Sequence, residues 1–351
     1  MSATYGRKFK ITVFGESHGE AIGVVLDGVT PGVCLDLDLI RAELARRAPY
    51  GTISTSRHEK DSFEIVSGLF NGKTTGTPLT FIIRNENKIS KDYEEIHNKP
   101  RPGHADYTGY VKYKGANDYR GGGHFSGRIT ALIAIAGAVA KQLLKNIKFS
   151  SRIVSIGDVV DDSFFLVDSF ETTKFGMISE EKSQEAICKI EEAKENNTSL
   201  GGIVTGYALG VEAGHGDPFF DSLESQISHL LFSIPAVKGV SFGAGFDITK
   251  MSGHRANDLL YFDDKKVKTL TNYNGGINGG ISNGMPIIVN VAFKPTPSIA
   301  RNQETVNLKT GVCDIINVQG RHDPCIVHRA RVLVEDCLAI ALLDQILCDG
   351  E

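Results

Sequence analysis

Along this chain the spacing of apolar positions switches between two residues and about three and a half, and each switch predicts an element. "KFKITVFGESHGEAIGVVLDG" holds two alternating runs on either side of the polar "GESHGE", the pattern of two strands joined by a turn. "DLDLIRAELARRAP" moves to helical spacing, with aspartates at its front, Leu39, Ile40 and Leu44 on one face, and Pro49 just past its end. "SFEIVSGLFNGKTTGTPLTFIIRN" predicts a hairpin turning at Asn71-Gly72, a dipeptide suited to a type I′ turn. The apolar rhythm then lapses into a long, glycine-rich stretch that reads as loop. From about Arg128 to Ile147 a helix is expected with Ala, Ile and Leu on every side, which places it in the centre of the molecule.

The second half repeats the mixture. A strand is predicted near Arg152, a charged helix around Glu180–Asn196, a strand at "GGIVTGYALGVE" and a helix at "DSLESQISHLLFSI". "MPIIVNVAFKP" reads as a strand and "VLVEDCLAIALLDQIL" as the closing helix. The segment around Asp161–Asn197 is the most polar and is expected outside the core. "TTGTPLTFIIRN" and "ISNGMPIIVNVAF" both set Gly-x-Pro before an apolar strand, an echo that fits internal duplication and chance alike. The predicted class is α/β (α+β). No low-complexity linker divides the chain, so residues 1–351 are expected to form one domain.

Composition narrows the functions available. With 351 residues, 41% hydrophobic and 23% charged, the chain has the make-up of a soluble globular protein able to bury a sizeable core. A net charge of −4 argues against a surface devoted to nucleic acid or anionic membrane, while leaving room for a local positive cleft. The longest apolar run, "ITALIAIAGAVA", is too short to span a bilayer. Six scattered cysteines without a C-x-x-C pair, and no apolar leader in "MSATYGRKFK", predict reduced thiols in a cytoplasmic protein.

Against that background one stretch stands out. Between Lys99 and Arg128 lie six Lys/Arg, two His and seven Gly against two Asp. A nucleic-acid platform, a phosphate cradle or a catalytic site for a polyanionic small molecule would each use that mixture. "DYRGGGHFSGRIT" has the clearest mechanism: three glycines allow close backbone approach and lead into a helix whose free N–H groups favour an anion. Ser126 can cap that helix, and Arg128 adds a fork for phosphate or carboxylate. The plain alternative is a flexible loop before a core helix. "SGLFNGKTTG" is one residue short of a P-loop, and "SFGAGFD" does not fit the G-x-G-x-x-G dinucleotide pattern. His18, His104 and His322 each sit beside a carboxylate or an arginine, where they could move protons near neutral pH or simply be solvated; none has the spacing of a zinc site. Arg46 and Arg47, at a helix end, also suit the helix dipole.

In chain order "GESHG", "RPGHADYTGYVKY", "DYRGGG", "KPTPSI" and "GRHDPC" resemble the chorismate synthase family, from near residue 15 to near residue 340. The resemblance implies an anti-1,4-elimination of phosphate and the C6 hydrogen from 5-enolpyruvylshikimate 3-phosphate, the last shikimate-pathway step. It implies reduced FMN, which lends an electron and recovers it, with no net redox change. It also implies a sandwich with helices enclosed between antiparallel-rich sheets, and a homotetramer. By the same resemblance His18 is the proton donor near the flavin, His104 the acid near the leaving phosphate, and Asp323 the carboxylate near flavin N5. Ser17 and Ser126 match active-site hydroxyls. Arg46, Arg47, Arg101, Arg128 and Arg321 are the candidates for holding substrate anions. His124, Phe125, Ser126, Ala236, Gly279, Lys294, Pro295, Thr296, Pro297, Ser298 and Arg321 are the candidates for holding FMN.

Two departures from the family pattern carry expectations. Ile129 stands where relatives often have Glu, which removes a capping box with Ser126 and predicts a helix start looser by about 0.5–1 kcal/mol. Ala48 and Ile53 or Ser54 replace arginines in the loop after the first helix, which leaves the role of Arg57 and any NADPH contact open. The shortness of the chain implies a form served by an external flavin reductant or reductase. The rival readings are a single-stranded nucleic-acid-binding protein and an FMN-dependent oxidoreductase of the same fold.

Overall fold

The structure, a computed structural model, describes residues 3–54, 61–86, 97–167, 171–318 and 322–350. The first half opens with strands β1 (Lys10–Gly15) and β2 (Ala21–Asp27), followed by helix α1 (Leu37–Arg46). Asp36 caps α1 by accepting from the Asp38 and Leu39 N–H groups. Strands β3 (Phe63–Ser67) and β4 (Leu79–Arg84) then pair around a tip at Asn71-Gly72, both with positive φ as the type I′ reading requires. Helix α2 (Asp106–Lys112) and the central helix α3 (Thr130–Leu143) complete this half. In the second half come β5 (Lys148–Ile156), α4 (Glu180–Glu195), β6 (Gly202–Leu209), α5 (Leu223–Leu231) and β7 (Val237–Phe242). The short α6 (Gly253–Ala256), β8 (Ile287–Phe293) and α7 (Val327–Asp349) follow.

Both five-stranded sheets are antiparallel, and their orders match. One runs from the short strand Thr4–Tyr5 through β1, β2 and β4 to β3. The other runs from Val159–Val160 through β5, β6 and β8 to β7. In each half a helix, α1 or α5, joins the second and third long strands. A hairpin protrusion and a Gly-x-Pro turn precede the fourth, and a buried helix, α3 or α7, follows it. The turn glycines, Gly76 and Gly284, have nearly equal φ of 83° and 87°. The echo in the sequence thus marks an internal duplication with the same strand order in both halves.

α3 and α7 pack against each other between the sheets. Every α3 residue from Thr130 to Ala140 is buried, and the apolar cluster around it draws on both halves. At their crossing a β-carbon on Gly137 would stand 2.2 Å from Asp336 Cβ, so only glycine allows this approach.

Three expectations change. The 99–128 stretch contains α2. The central helix starts with a tight turn at Gly127–Ile129 and ends at Leu143, short of Ile147. The polar segment 161–197 is not outside the core: Phe175, Met177, Ala186 and Ile190 are buried within it. Its polar groups satisfy backbone instead of facing water, as where the buried Asp161 carboxylate accepts from the Ser163, Ile178 and Ser179 N–H groups.

Candidate active site

The β1–β2 turn and the triple-glycine loop are joined by backbone. Ser17 N–H donates to the Gly123 carbonyl at 3.2 Å, Ser17 Oγ to the Gly121 carbonyl at 3.0 Å, and His124 Nδ1–H to the Gly15 carbonyl at 2.9 Å. All three loop glycines have positive φ, of 61°, 83° and 55°. Each also meets a neighbour. A β-carbon on Gly121 would stand 2.0 Å from His18 Nδ1, one on Gly122 would be 3.4 Å from His104 Nε2, and one on Gly123 would be 2.0 Å from the Asp118 carbonyl oxygen. Consecutive glycines therefore seat the two candidate histidines side by side. Ser126 caps the turn into α3, accepting from the Arg128 N–H at 3.3 Å, and Phe125 packs on Gly109 and Tyr113.

His104 sits between Arg101 and Asp106. Its Nδ1 is 2.6 Å from Asp106 Oδ1, and Asp106 also accepts from Arg101 N–H, Nε and Nη2 at 3.0, 2.7 and 2.8 Å. These partners hold the Asp106 carboxyl well below the usual range in spite of its burial. Burial foremost, and then Arg101 and Lys294, lower His104 against the pull of Asp106. The remaining Arg101 Nη1 donates to Ser298 Oγ at 3.0 Å. Arg101 is buried with its guanidinium committed to these partners, so it positions His104 and is not an open anion clamp.

Arg47 and Arg128 converge on one carboxylate, Asp61. Arg47 is also tied to Thr130 Oγ1 at 2.9 Å and the Gly127 carbonyl at 3.3 Å, and burial pushes its guanidinium down to about 10. Asn85 Oδ1 accepts from Arg128 Nε at 3.4 Å, while its Nδ2 donates to the Glu16 and Gly19 carbonyls. Arg46 lies elsewhere. It pairs with Glu335 at 2.6 Å and Glu43 at 2.9 Å in a buried cluster with Lys141 between α1, α3 and α7, because adjacent residues at a helix end point in different directions. The expected anion-binding role of Arg46 has no place in this geometry.

The 294–298 segment closes the other side. Ala236, held at a φ of 74°, accepts from the Lys294 N–H at 2.9 Å, and Lys294 Nζ donates to the Gly103 carbonyl. Pro297 lies against Gly103, and Pro295 against Gly201. Thr296 Oγ1 donates to the Asp323 carbonyl at 2.9 Å. Arg329 pairs with Asp323 Oδ2 while its Nε donates to the Arg47 carbonyl at 2.9 Å. The contacts return on themselves: His18 to Gly121 and Gly122, to His104 and Arg101, to Ser298 and Thr296, to Asp323, Arg329 and Arg47, and back to Gly127 beside Ser126. His322 is half-buried beside Asp323. Arg321 and Arg57 lie outside the described residues.

Gly279 is not brought here within one chain. Its neighbour Gly280 packs on Asp217 and Ser222, and the turn sits at the start of β8 near the C-terminus of α7, where Ser282 N–H donates to the His215 carbonyl and His215 meets Asp349. Lys294 follows the other end of β8, roughly 20 Å away at strand rise.

Asp61, Asp106, Asn85 and Arg329 are site residues the sequence reading did not single out. The His-x-Asp spacing ahead of a helix start was a usable signal for Asp106. Nothing local in the sequence marks Asp61 as the partner of two distant arginines.

Comparison with known proteins gives one family over nearly the whole chain. The family profile described as chorismate synthase matches residues 9–347. A chorismate synthase of Methanobrevibacter smithii is 45% identical, the alignment covering 100% of this chain and 98% of that protein. One from Thermococcus gammatolerans is 44% identical, covering 97% of each. A crystal structure of chorismate synthase superposes with a TM-score of 0.75 at 30% identity, over 98% of this chain and 93% of that one. The chain belongs to the chorismate synthase family.

Proposed function

We propose that the ring of residues from His18 to Arg329 is the active site in which this chain, a carbon–oxygen lyase of the shikimate pathway, converts 5-enolpyruvylshikimate 3-phosphate to chorismate. The observation that carries the reading is the seating of His18 and His104 on Gly121 and Gly122, next to paired arginines and the lysine-bearing 294–298 segment. The substrate loses phosphate from C3 and hydrogen from C6, so the protein must stabilise a leaving anion and accept a proton. Arg47 and Arg128 hold positive charge where the leaving phosphate develops negative charge, in a setting shielded from water. His104 supplies a proton to a departing phosphate oxygen. His18, buried beside Ser17, holds its proton toward the cofactor side, and Asp323, oriented by Arg329, takes up the proton lost from the substrate.

The residues present fit reduced FMN. Lys294 is lowered by burial and by Lys238, a cation pair that an anion such as the flavin phosphate would relieve. Gly127, next to Ser126, leaves open space where a side chain would stand, and Lys294 and Pro297 pack on Gly103; His124, Phe125, Ser126, Ala236 and Lys294–Ser298 are the residues that would hold the flavin there. When bound, the flavin supplies a transient electron that labilises the C–O bond. Reducing equivalents come from an external reductant.

A homo-oligomer, specifically a homotetramer, is part of the proposal. Phe219, Phe220, Phe246, Leu260 and Phe262 are all more than 70% exposed on the second half, an apolar display unusual for a lone chain. A neighbouring copy is also the way Gly279 would reach a flavin. Among the described residues no helix is long and apolar enough to cross a membrane.

The test is an anaerobic assay with FMN, dithionite and 5-enolpyruvylshikimate 3-phosphate, following chorismate absorbance and phosphate release. Many turnovers per flavin without further reductant support the elimination. Stoichiometric consumption of reductant would favour the oxidoreductase reading, and no product from folded, FMN-saturated protein would overturn the assignment.

A further inference from the structure

We infer that Asp106 is a positioning residue for His104, binding its Nδ1–H so that Nε2, on the Gly122 side, is the atom that exchanges a proton with the substrate phosphate. This rests on the proposed role of His104 as the acid. The argument for the tautomer is geometric. Asp106 Oδ1 and His104 Nδ1 are 2.6 Å apart, and Asp106 is a carboxylate because three Arg101 donors and the first turn of α2 hold it ionised. Two lone pairs cannot face each other at that distance, so a hydrogen lies between them and belongs to the imidazole.

Arg101 Nη2 approaches Nδ1 at 3.0 Å and Nε2 at 3.3 Å, which on its own would allow the opposite assignment. The same Nη2 is 2.8 Å from Asp106 Oδ1, however, so Arg101 and His104 are two donors sharing one acceptor. The Cε1–Nε2 edge then faces Gly122, where a β-carbon would stand 3.4 Å from both atoms. Glycine at that position leaves the edge open to a ligand.

The arrangement has a consequence for the order of events. Burial lowers His104, and an adjacent guanidinium opposes its protonation, so in the empty site Nε2 is a lone pair. A phosphate monoester, whose second ionisation falls near pH 6, can carry the proton in with it. The imidazolium formed is stabilised by Asp106 and can return that proton as the C–O bond breaks. Arg101 extends the scaffold to Ser298, so the acid and the cofactor segment share one support.

The first measurement is ¹⁵N NMR of histidine-labelled full-length protein, with His104→Gln identifying the signal. The expected result is a protonated Nδ1 and an unprotonated Nε2 at neutral pH. An Nε2–H tautomer would overturn the inference, and this reading holds whether or not the protein turns over substrate. The second is Asp106→Asn, whose amide would donate to Nδ1 and place the proton on Nε2. We expect kcat to fall roughly 10²- to 10⁴-fold, the range of one general acid, with KM and FMN affinity within a few-fold of the parent. A kcat within threefold of the parent would also overturn it. If wild-type protein is inactive while Nδ1 carries the proton, the positioning stands and the assigned reaction falls. If Asp106→Asn does not fold, the wild-type tautomer decides alone.

Discussion

Gly121 and His18 are packed so closely that a β-carbon on the glycine would stand 2.0 Å from the imidazole Nδ1. The glycine also holds a φ of 61°, so a side chain there is opposed both by its own backbone and by its neighbour. Gly121→Ala should push His18 aside and lower kcat about 100-fold, the scale of a displacement near 1 Å at a reacting centre. Gly253→Ala, in α6, is the control: a β-carbon there meets nothing within 4 Å and its φ is not left-handed, so it should leave kcat nearly unchanged. Equal activities for the two variants would remove the steric argument.

Arg46 and Arg47 separate by what each touches. Glu335 is fully buried and serves Arg46, Lys141 and Ser151 at once, with its carboxyl drawn down to about 2 against the effect of burial. Removing that charge leaves Arg46 and Lys141 to share Glu43, with Asp336 on Lys141, and takes away the buried carboxylate that binds both cations and Ser151. Glu335→Gln should cost about 3 kcal/mol in denaturant unfolding. Arg46→Gln should leave KM for the substrate unchanged, whereas Arg128→Gln should raise it at least about tenfold. A KM effect of Arg46→Gln as large as that of Arg128→Gln would return Arg46 to the anion site.

Ile129 shows where reading the sequence by motif went astray. The missing capping box predicts that glutamate at 129 would tighten the helix start. In the structure Ile129 is only 8% exposed and belongs to the core cluster. The start is held instead by Thr130 Oγ1 donating to the Gly127 carbonyl at 2.6 Å, and by Arg47, which donates to both. Ile129→Glu should therefore destabilise the protein by 2 kcal/mol or more, roughly the lost burial plus the desolvation of a charge. A higher Tm for this variant would restore the capping argument.

The same contrast runs through the whole chain. The strands, α1, α3, α5 and α7 were legible because each buries a face whose period is written in its own residues. The duplication was legible only as two Gly-x-Pro turns, since the rest of the likeness lies in strand order, which no local pattern encodes. The glycine loop stood out by its composition and His18 and His104 by their charged neighbours, while their separate roles came from motif resemblance. Their partners were not, because Asp61 meets Arg128 across 67 residues and Arg329 meets Arg47 across 282. The fate of Arg46 depended on Glu335, at the far end of the sequence.

His328 gives the fold a pH dependence. Its Nε2 lies 2.7 Å from Ser54 Oγ, its ring stacks on Phe175, and burial, with help from Arg329 and Arg331, pushes it down to about 3. Such a group binds its proton in the unfolded chain first, so the stability it supports is complete above about pH 6.5 and is lost progressively as pH falls toward 3. From pH 6.5 to 5 this one residue should cost about 2 kcal/mol. His328→Asn should be less stable at pH 7 but lose less between pH 7 and 5, as measured by denaturant unfolding at each pH. Parallel losses in parent and variant would place the acid sensitivity elsewhere.

Asp61 offers the sharpest test of where the substrate anion binds. Two buried guanidiniums, Arg47 and Arg128, share its carboxylate, so the empty site already contains one anion between two cations. Asp61→Asn would take away the carboxylate that both guanidiniums share, and breaking a buried pair costs about 3 kcal/mol. The Tm of the variant should fall by several degrees. An added anion that binds at the arginines replaces the missing charge, so inorganic phosphate should stabilise the variant more than the parent, by the linkage between binding and folding. The measurement is Tm against phosphate concentration for both proteins at constant ionic strength, with chloride as the balancing salt. A steeper rise for Asp61→Asn places an anion site at Arg47 and Arg128. Identical slopes would mean that phosphate binds elsewhere, and that the two arginines serve the start of α3 and not the substrate.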